Sequence, residues 1–284
     1  MNKEDITELQ TIISNAIQED VGDGDHSSEA CIPDDTIGEA KLIIKEDCVI
    51  AGLEVAQLIF KKVDDELVIN KKYEDGQLVT AGEIAFTISG NQKSILQAER
   101  LVLNIMQRMS AIATNTYQLH QQLKDTATKV LDTRKTTPGI RLLEKMAVKI
   151  GGGVNHRKGL YDMVMLKDNH IDYAGGITKA IKKTKNYLNK RNKDLKIVVE
   201  ARNLQEVDEI LKNEPIERIL LDNFTPEQTQ RAVNTINGKC AIESSGGISI
   251  ETARKYAQCG VDYISSGAIT HHVNNVDMSL KAVE

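Results

Sequence analysis

Tryptophan is absent from the 284 residues, phenylalanine occurs three times, and aromatic residues make up only 4% of the chain. Aliphatic side chains must therefore build the core, and the stacked aromatic platform that grips single-stranded nucleic acid is excluded. Cysteine is scarce and scattered: Cys31, Cys48, Cys240 and Cys259 include no C-x-x-C pair, which argues against a disulfide scaffold and against structural zinc. No apolar run approaches the roughly eighteen residues of a membrane span. Positive charge is not in excess, with 36 basic against 41 acidic residues and a net charge of −5. A chain of that sign offers no global field for nucleic acid. The opening MNKED carries acids and no apolar core after them, so no secretory signal is expected and the cytoplasm is the expected location.

What is present is concentrated. Residues 131–170 read LDTRKTTPGIRLLEKMAVKIGGGVNHRKGLYDMVMLKDNH. One apolar run ends in Asp132, Thr133, Arg134 and Lys135, and a triple glycine then delivers His156, Arg157 and Lys158. A second run ends in Lys167, Asp168, Asn169 and His170. In an acidic chain, three clusters of nitrogen donors at the ends of short elements suit a small, highly anionic ligand.

The chain changes character near residue 110. Before it, the pattern predicts a helix over residues 5–19, a turn-rich loop over 20–25, and strands over 39–45, 48–51, 67–73 and 84–89. Residues 53–62 read as a helix between strands, and a long helical pattern over 94–123 bridges to the second half of the chain. After residue 127, apolar runs at 129–132, 163–166, 196–199, 218–221, 240–242 and 261–264 alternate with helical patterns at 140–150, 176–188, 203–212, 226–237 and 249–259. Apolar runs without polar alternation, separated by helices, imply parallel strands covered on both faces. A doubly wound sheet and an α/β barrel both fit that rhythm.

The strand ends favour the barrel, which gathers them around one mouth. After the two cationic ends come Glu200 and Arg202, then Asp222 and Asn223, then Glu243 to Gly247, then Ser265 to Gly267. Ser245-Gly246-Gly247 and Ser266-Gly267-Ala268 lack bulk, so backbone N–H groups can approach a phosphate. Glu200 and Asp222 end successive buried runs and suit a hydrated Mg²⁺ or ribose hydroxyls. Arg134, Lys135, His156, Arg157 and Lys167 form the cationic group. Phosphate, metal, sugar and a second anion together point to phosphoribosyl transfer.

The strings DTRKTTPGIRLLEKMAVKIGGGVNHRKGLYDMVMLKDNHI, LLDNF and ESSGGI resemble quinolinate phosphoribosyltransferases, the carboxylating nicotinate-nucleotide pyrophosphorylases. EDVGDGD (residues 19–25) and AERLVLN (98–104) extend the resemblance along nearly the whole chain. It implies an N-terminal α/β sandwich domain over 1–112, with a tail over 271–284 returning to it, and an open, incomplete α/β barrel over 113–270. It also implies a homodimer in which Arg100 reaches the neighbouring subunit's site. The cationic group is then assigned to the quinolinate carboxylates, with Thr133 beside it and Lys135 also reaching the pyrophosphate. Glu200 and Asp222 are assigned to ribose and to Mg²⁺, directly or through water, and the two glycine loops to the 5′-phosphate. Lys135, Glu200 and Asp222 become the catalytic candidates. Quinolinate and phosphoribosyl pyrophosphate are the expected substrates, with nucleic acid and membrane excluded as partners.

Three other readings remain beside it: a nicotinate phosphoribosyltransferase, the related protein associated with molybdate transport, and a non-catalytic sugar-phosphate-binding barrel. Five cations plus Arg100 exceed the needs of a single carboxylate. Residues 33–38, PDDTIG, resemble an acidic phosphoribosyl loop only superficially and read as a turn. The adjacent His271 and His272 lack a third ligand for a metal.

Overall fold

The computed structural model describes residues 2–213 and 215–283, and these fall into two compact units. The first comprises residues 1–117, 136–152 and 269–284, and the second residues 118–135 and 153–268. The sequence placed the division at 112/113 with an uninterrupted second domain. The compact units divide at 117/118, with residues 136–152 in the first.

The first unit begins with α1 (Lys3–Val21) and α2 (His26–Cys31), then β1 (Ile37–Ile44), β2 (Cys48–Val49), α3 (Leu53–Val63), β3 (Val68–Lys71), β4 (Leu78–Val79) and β5 (Ile84–Asn91). α4 (Gln92–Leu123) carries the chain onward. The loop expected over 20–25 is shorter than predicted, because α1 runs on to Val21 and Gly22 closes it at φ 58°. Asp25 then caps α2, a helix too short to show periodicity, by accepting the Ser28 N–H at 3.1 Å. β1 alternates along its length, burying Ala40, Leu42 and Ile44 on one face. The sheet order is β12-β1-β5-β3, where β12 (Met278–Ala282) is a strand contributed by the tail.

Helix α5 (Arg141–Ile150) also belongs to this unit. The fully buried Glu144 accepts both Nε (3.1 Å) and Nη2 (2.8 Å) of Arg108 and the Thr137 N–H at 3.2 Å. Two guanidinium donors on Oε1 and an amide on Oε2 leave neither oxygen unpaired, which is what makes a buried carboxylate tolerable. After α5, a side chain on Gly151 would collide with the Ala113 carbonyl and with Thr116. That close approach to α4 accounts for the first glycine of the triple.

The second unit is built on β6 (Lys129–Leu131), β7 (Val164–Leu166), β8 (Ile197–Ala201), β9 (Arg218–Asp222), β10 (Ala241–Ser245) and β11 (Tyr263–Ser265). Helices α6 (Asp168–Ala174), α7 (Ile177–Lys190), α8 (Leu204–Leu211), α9 (Pro226–Ile236) and α10 (Ile250–Ala257) connect them, and α11 (Ala268–His271) comes after β11. All six strands are parallel, in the order β6-β11-β10-β9-β8-β7. Every residue of β8 is buried, as expected of a strand covered on both faces. β6 and β7 are the two edges of the sheet and do not pair, so the barrel is open. The chain between them supplies one more link, a parallel bridge from Leu131 to Val154.

Candidate active site

Because the six strands are parallel, their carboxyl ends lie along one edge of the sheet, and the polar residues singled out in the second unit sit there. Sequence spacing alone made this a prediction. The register makes it a layout: Asp222 is level with Ser245, and Glu200 with Leu220.

Beyond β6, Thr133 is half-buried and its hydroxyl accepts the Lys135 N–H at 3.0 Å, fixing a tight turn. Arg134 and Lys135 are exposed, as is Lys167 at the start of α6. Arg157, by contrast, is only 8% exposed, and its Nη1 donates to the Met163 carbonyl at 3.1 Å. Its pKa is pulled below the ordinary arginine value, first by burial and then by the Arg134 guanidinium, while Asp162 opposes both. It stays protonated. Two like charges held together at a strand end, one of them desolvated, favour an anion brought up beside them.

His156 is placed differently from the other members of the cationic group. Its backbone N–H donates to Asp132 Oδ1 at 2.6 Å, and its ring Nδ1 accepts the Arg157 N–H at 2.7 Å. Nε2 lies 3.2 Å from Glu243 Oε2. The same Glu243 oxygen accepts from Arg218 Nη1 at 2.7 Å, and the Arg218 guanidinium stacks 4.1 Å above the Tyr263 ring. Burial alone would raise the Glu243 pKa, yet His156, Arg218 and Ser265 outweigh it and hold the carboxyl below the ordinary glutamate range. His170, in turn, accepts the Lys167 N–H at 3.1 Å and caps α6. Lys158 and Gly159 donate their amides to Asp162 at 2.7 and 2.9 Å, closing the turn behind Arg157.

On β8, Glu200 is 7% exposed. Its carboxyl is pushed above the ordinary glutamate range, first by burial and then by Asp222, with the Asp168 amide and Lys167 acting against them. The Asp168 N–H lies 3.4 Å from Glu200 Oε1, a long and weak contact. Asp222 Oδ2 accepts Asn223 Nδ2 at 2.8 Å. This is a pair of acids with too few donors, an environment that suits a cation. Among the described residues no group of three His, Cys, Asp or Glu could hold a metal ion. Two carboxylates without a third protein ligand match Mg²⁺, which keeps several waters and takes further oxygens from substrate phosphates. The donor set therefore fits the expected ion.

The glycine loops have different local reasons. Gly246 sits at φ 97° and a side chain there would strike Asn223, whose own amide donates to the Ser245 carbonyl at 2.9 Å. Gly247, at φ 60°, meets nothing within 4 Å, so its constraint is backbone conformation alone. Ser249 then caps α10. In the second loop Ser266 is buried and its N–H is already taken by the Leu131 carbonyl at 3.1 Å. Gly267 and Ala268 come next, with Ala268 opening α11. Arg100 is exposed on α4 in the first unit.

Sequence reasoning placed Asp132 and Glu243 at strand ends without giving them a role, and it passed over Arg218. Each is a charged residue within or at the end of an otherwise buried run. That was the signal available: a charge has no place between two apolar layers unless something pairs with it.

Comparison with known proteins identifies the family and agrees with the fold. The C-terminal domain model of the quinolinate phosphoribosyl transferase family matches residues 112–281, and the N-terminal domain model matches residues 25–110. A rice protein named nicotinate-nucleotide pyrophosphorylase [carboxylating], chloroplastic, is 45% identical over 96% of this chain and 77% of its own length. A Synechocystis protein named probable nicotinate-nucleotide pyrophosphorylase [carboxylating] is 41% identical over 94% of this chain and 90% of its own. The solved structure of the Francisella tularensis nicotinate-nucleotide pyrophosphorylase superposes with a TM-score of 0.90 at 37% identity, covering 98% of this chain and 96% of that one. The chain belongs to the quinolinate phosphoribosyl transferase family.

Proposed function

We propose that the chain carries out its family's reaction at the carboxyl edge of the parallel sheet, with the residues assembled there. It is a pentosyltransferase, a carboxylating nicotinate-nucleotide diphosphorylase. It transfers phosphoribosyl from phosphoribosyl pyrophosphate to quinolinate and yields nicotinate mononucleotide, pyrophosphate and CO₂, a step of NAD biosynthesis. The observation that carries the assignment of residues is the buried guanidinium of Arg157, 8% exposed, destabilised by its burial and then by Arg134.

In this reading Arg134, Arg157 and Lys167 hold the two carboxylates of quinolinate and align its ring nitrogen with the ribose C1. Lys135 serves both the diacid and the pyrophosphate. Thr133 shapes the turn that presents these two cations. Ser245, Gly246 and Gly247, with Gly267 and Ala268 of the second loop, receive the 5′-phosphate through backbone donors, and Ser266, whose N–H is held by the Leu131 carbonyl, offers only its hydroxyl. Glu200 and Asp222 would lie beside the ribose and would hold Mg²⁺, directly or through water; the bound ion would supply neutralisation of the pyrophosphate charge. The ring nitrogen forms the new bond to C1 as the C1–oxygen bond to pyrophosphate breaks. Positive charge spreads over C1 and its ring oxygen, and the carboxylates offset it. The ribosylated nitrogen is then cationic. When the C2–carboxylate bond breaks, the electron pair stays on C2 beside that nitrogen, and a proton replaces the departed CO₂. No residue serves as a covalent nucleophile.

A homodimer completes the proposal, with Arg100 entering the partner's site; its exposure on α4 is consistent with that. Cytoplasmic residence is supported by four cysteines that are all free, while the rice relative is named chloroplastic. No helix among the described residues is long and apolar enough to cross a membrane.

The test is a paired assay with phosphoribosyl pyrophosphate and Mg²⁺, offering quinolinate or nicotinate and following mononucleotide and CO₂. Turnover with quinolinate alone, with one CO₂ for each mononucleotide, is the expected outcome. Turnover with nicotinate without CO₂ would reassign the cations.

A further inference from the structure

The chain passes from the second unit to the first at 135/136 and again at 268/269. Each passage follows directly on a group that the proposed reaction uses: Arg134 and Lys135 before the first, Gly267 and Ala268 before the second. Two residues beyond each passage the chain meets the same side chain. Arg108 Nη2 donates to the Thr270 carbonyl at 2.7 Å and to the Thr137 hydroxyl at 3.2 Å. The guanidinium is itself fixed, because Nη2 at 2.8 Å and Nε at 3.1 Å both donate to Oε1 of the fully buried Glu144. Oε2 of that carboxylate accepts the Thr137 N–H at 3.2 Å, so Thr137 is held at its amide and at its hydroxyl. The Thr136 hydroxyl beside it accepts Arg141 Nε at 2.9 Å. Thr270 is wholly buried in α11, which at four residues is too short to satisfy its own carbonyls, and Arg108 supplies the donor.

We propose that Arg108 is a positioning residue for both substrates. One guanidinium sets the chain just past the turn that carries Arg134 and Lys135, and just past the loop that offers Gly267 and Ala268 to the 5′-phosphate. This rests on the reading of those two segments as the diacid and phosphate sites. The pairing of β6 with β11 ends at Leu131 and Ser265, before either group, so the sheet register does not place them. A bond beyond each passage fixes the far end of each segment, and placement within a fraction of an ångström is what transfer between two bound substrates requires. Arginine suits the task because its planar fork holds Glu144 through two nitrogens while directing Nη2 toward two other oxygens. A lysine ammonium is a point donor and cannot span them.

The experiment is equilibrium titration of the full chain with quinolinate and, separately, with ribose 5-phosphate, which carries the 5′-phosphate without the pyrophosphate. The proteins are the unmodified chain, Arg108→Lys, Thr137→Ala, Thr137→Ser and Arg134→Ala, with circular dichroism on each. Arg108→Lys keeps a cation for Glu144 but loses the other two oxygens, and it is expected to weaken both ligands by about fivefold, the scale of one hydrogen bond. Thr137→Ala cuts only the link to the first segment. It should weaken quinolinate by about threefold and leave ribose 5-phosphate unchanged. Thr137→Ser retains the hydroxyl and should recover the quinolinate affinity. Either ligand binding folded Arg108→Lys as tightly as the unmodified chain would overturn the proposal. So would Thr137→Ala weakening both ligands alike, the mark of a merely structural role, or Thr137→Ser binding quinolinate no better than Thr137→Ala. If Arg108→Lys does not fold, the Thr137 pair decides alone: a loss confined to quinolinate and restored by serine supports the proposal, and any other pattern contradicts it. Arg134→Ala with unchanged quinolinate affinity is a separate outcome, since it would sink the cation reading itself and the positioning role with it.

Discussion

Two glutamates on neighbouring regions of the same sheet, Glu200 on β8 and Glu243 on β10, show how little burial alone says about a carboxylate. They are 7% and 1% exposed, and burial is the leading influence on both, pushing each toward its neutral form. They nonetheless move in opposite directions. Glu243 has an arginine at 2.7 Å, a histidine at 3.2 Å and the Ser265 hydroxyl, and it is held ionised. Glu200 has one long amide contact and a second acid for company, and it is pushed up. The satisfied glutamate belongs to the scaffold, and the unsatisfied one is the carboxylate proposed to meet a cation. Arg157 and Arg134 repeat the lesson with the sign reversed, since a desolvated guanidinium beside another one favours an anion.

Mutation can break the comparison most strongly at Glu243. Glu243→Ala leaves Arg218 buried without its partner, a loss on the scale of about 3–5 kcal/mol for one half of a buried ion pair. Chemical denaturation should show that loss as a lower midpoint. Glu200→Gln should do the reverse: no loss of folding stability, but turnover lower by about a hundredfold, the scale on which one electrostatic group acts on a transition state. Arg134→Ala and Lys167→Ala should likewise lose activity while melting like the unmodified protein, because both side chains are exposed. Full steady-state activity in either would remove the clamp.

Acidity sharpens the contrast. The Glu243 pKa is lowered on folding, so its contribution to stability is present above the ordinary glutamate value and is lost as pH falls through the folded value. The Glu200 pKa is raised, so its ionisation opposes folding at neutral pH and that cost fades on acidification. Glu200→Gln should therefore gain stability relative to the unmodified protein near neutrality, and the gain should shrink as pH is lowered toward the glutamate range. Melting temperatures across that series check it. A gain that grew on acidification would reverse the assignment.

Much of this was legible from residue order. Six apolar runs gave six parallel strands, because strands buried on both faces leave no ambiguity of period. Charges at successive run ends fell along one edge, because parallel strands share a direction. Helix α2 and β12 escaped: one is six residues long and rests on the Asp25 cap, the other depends on pairing with β1 from the far end of the chain. The role of residues 136–152 was hidden as well. Their helical pattern continues the barrel rhythm, and long-range contacts such as Arg108–Glu144 and the approach of Gly151 to α4 give them to the first unit. At the site, residue types predicted the cations and the acids. They did not separate His156, whose ring is turned into the protein, from Arg157 beside it, because one residue of separation carries no information about which way a side chain faces in a loop.

The most direct test of the central claim is a carbon-13 NMR titration of the glutamate side-chain carboxyls, with Glu200 assigned from the Glu200→Gln spectrum. The account predicts that Glu200 takes up its proton above the ordinary glutamate value and that Glu243 is still ionised well below it. Both carboxyls titrating together, or Glu243 titrating first as pH falls, would contradict it.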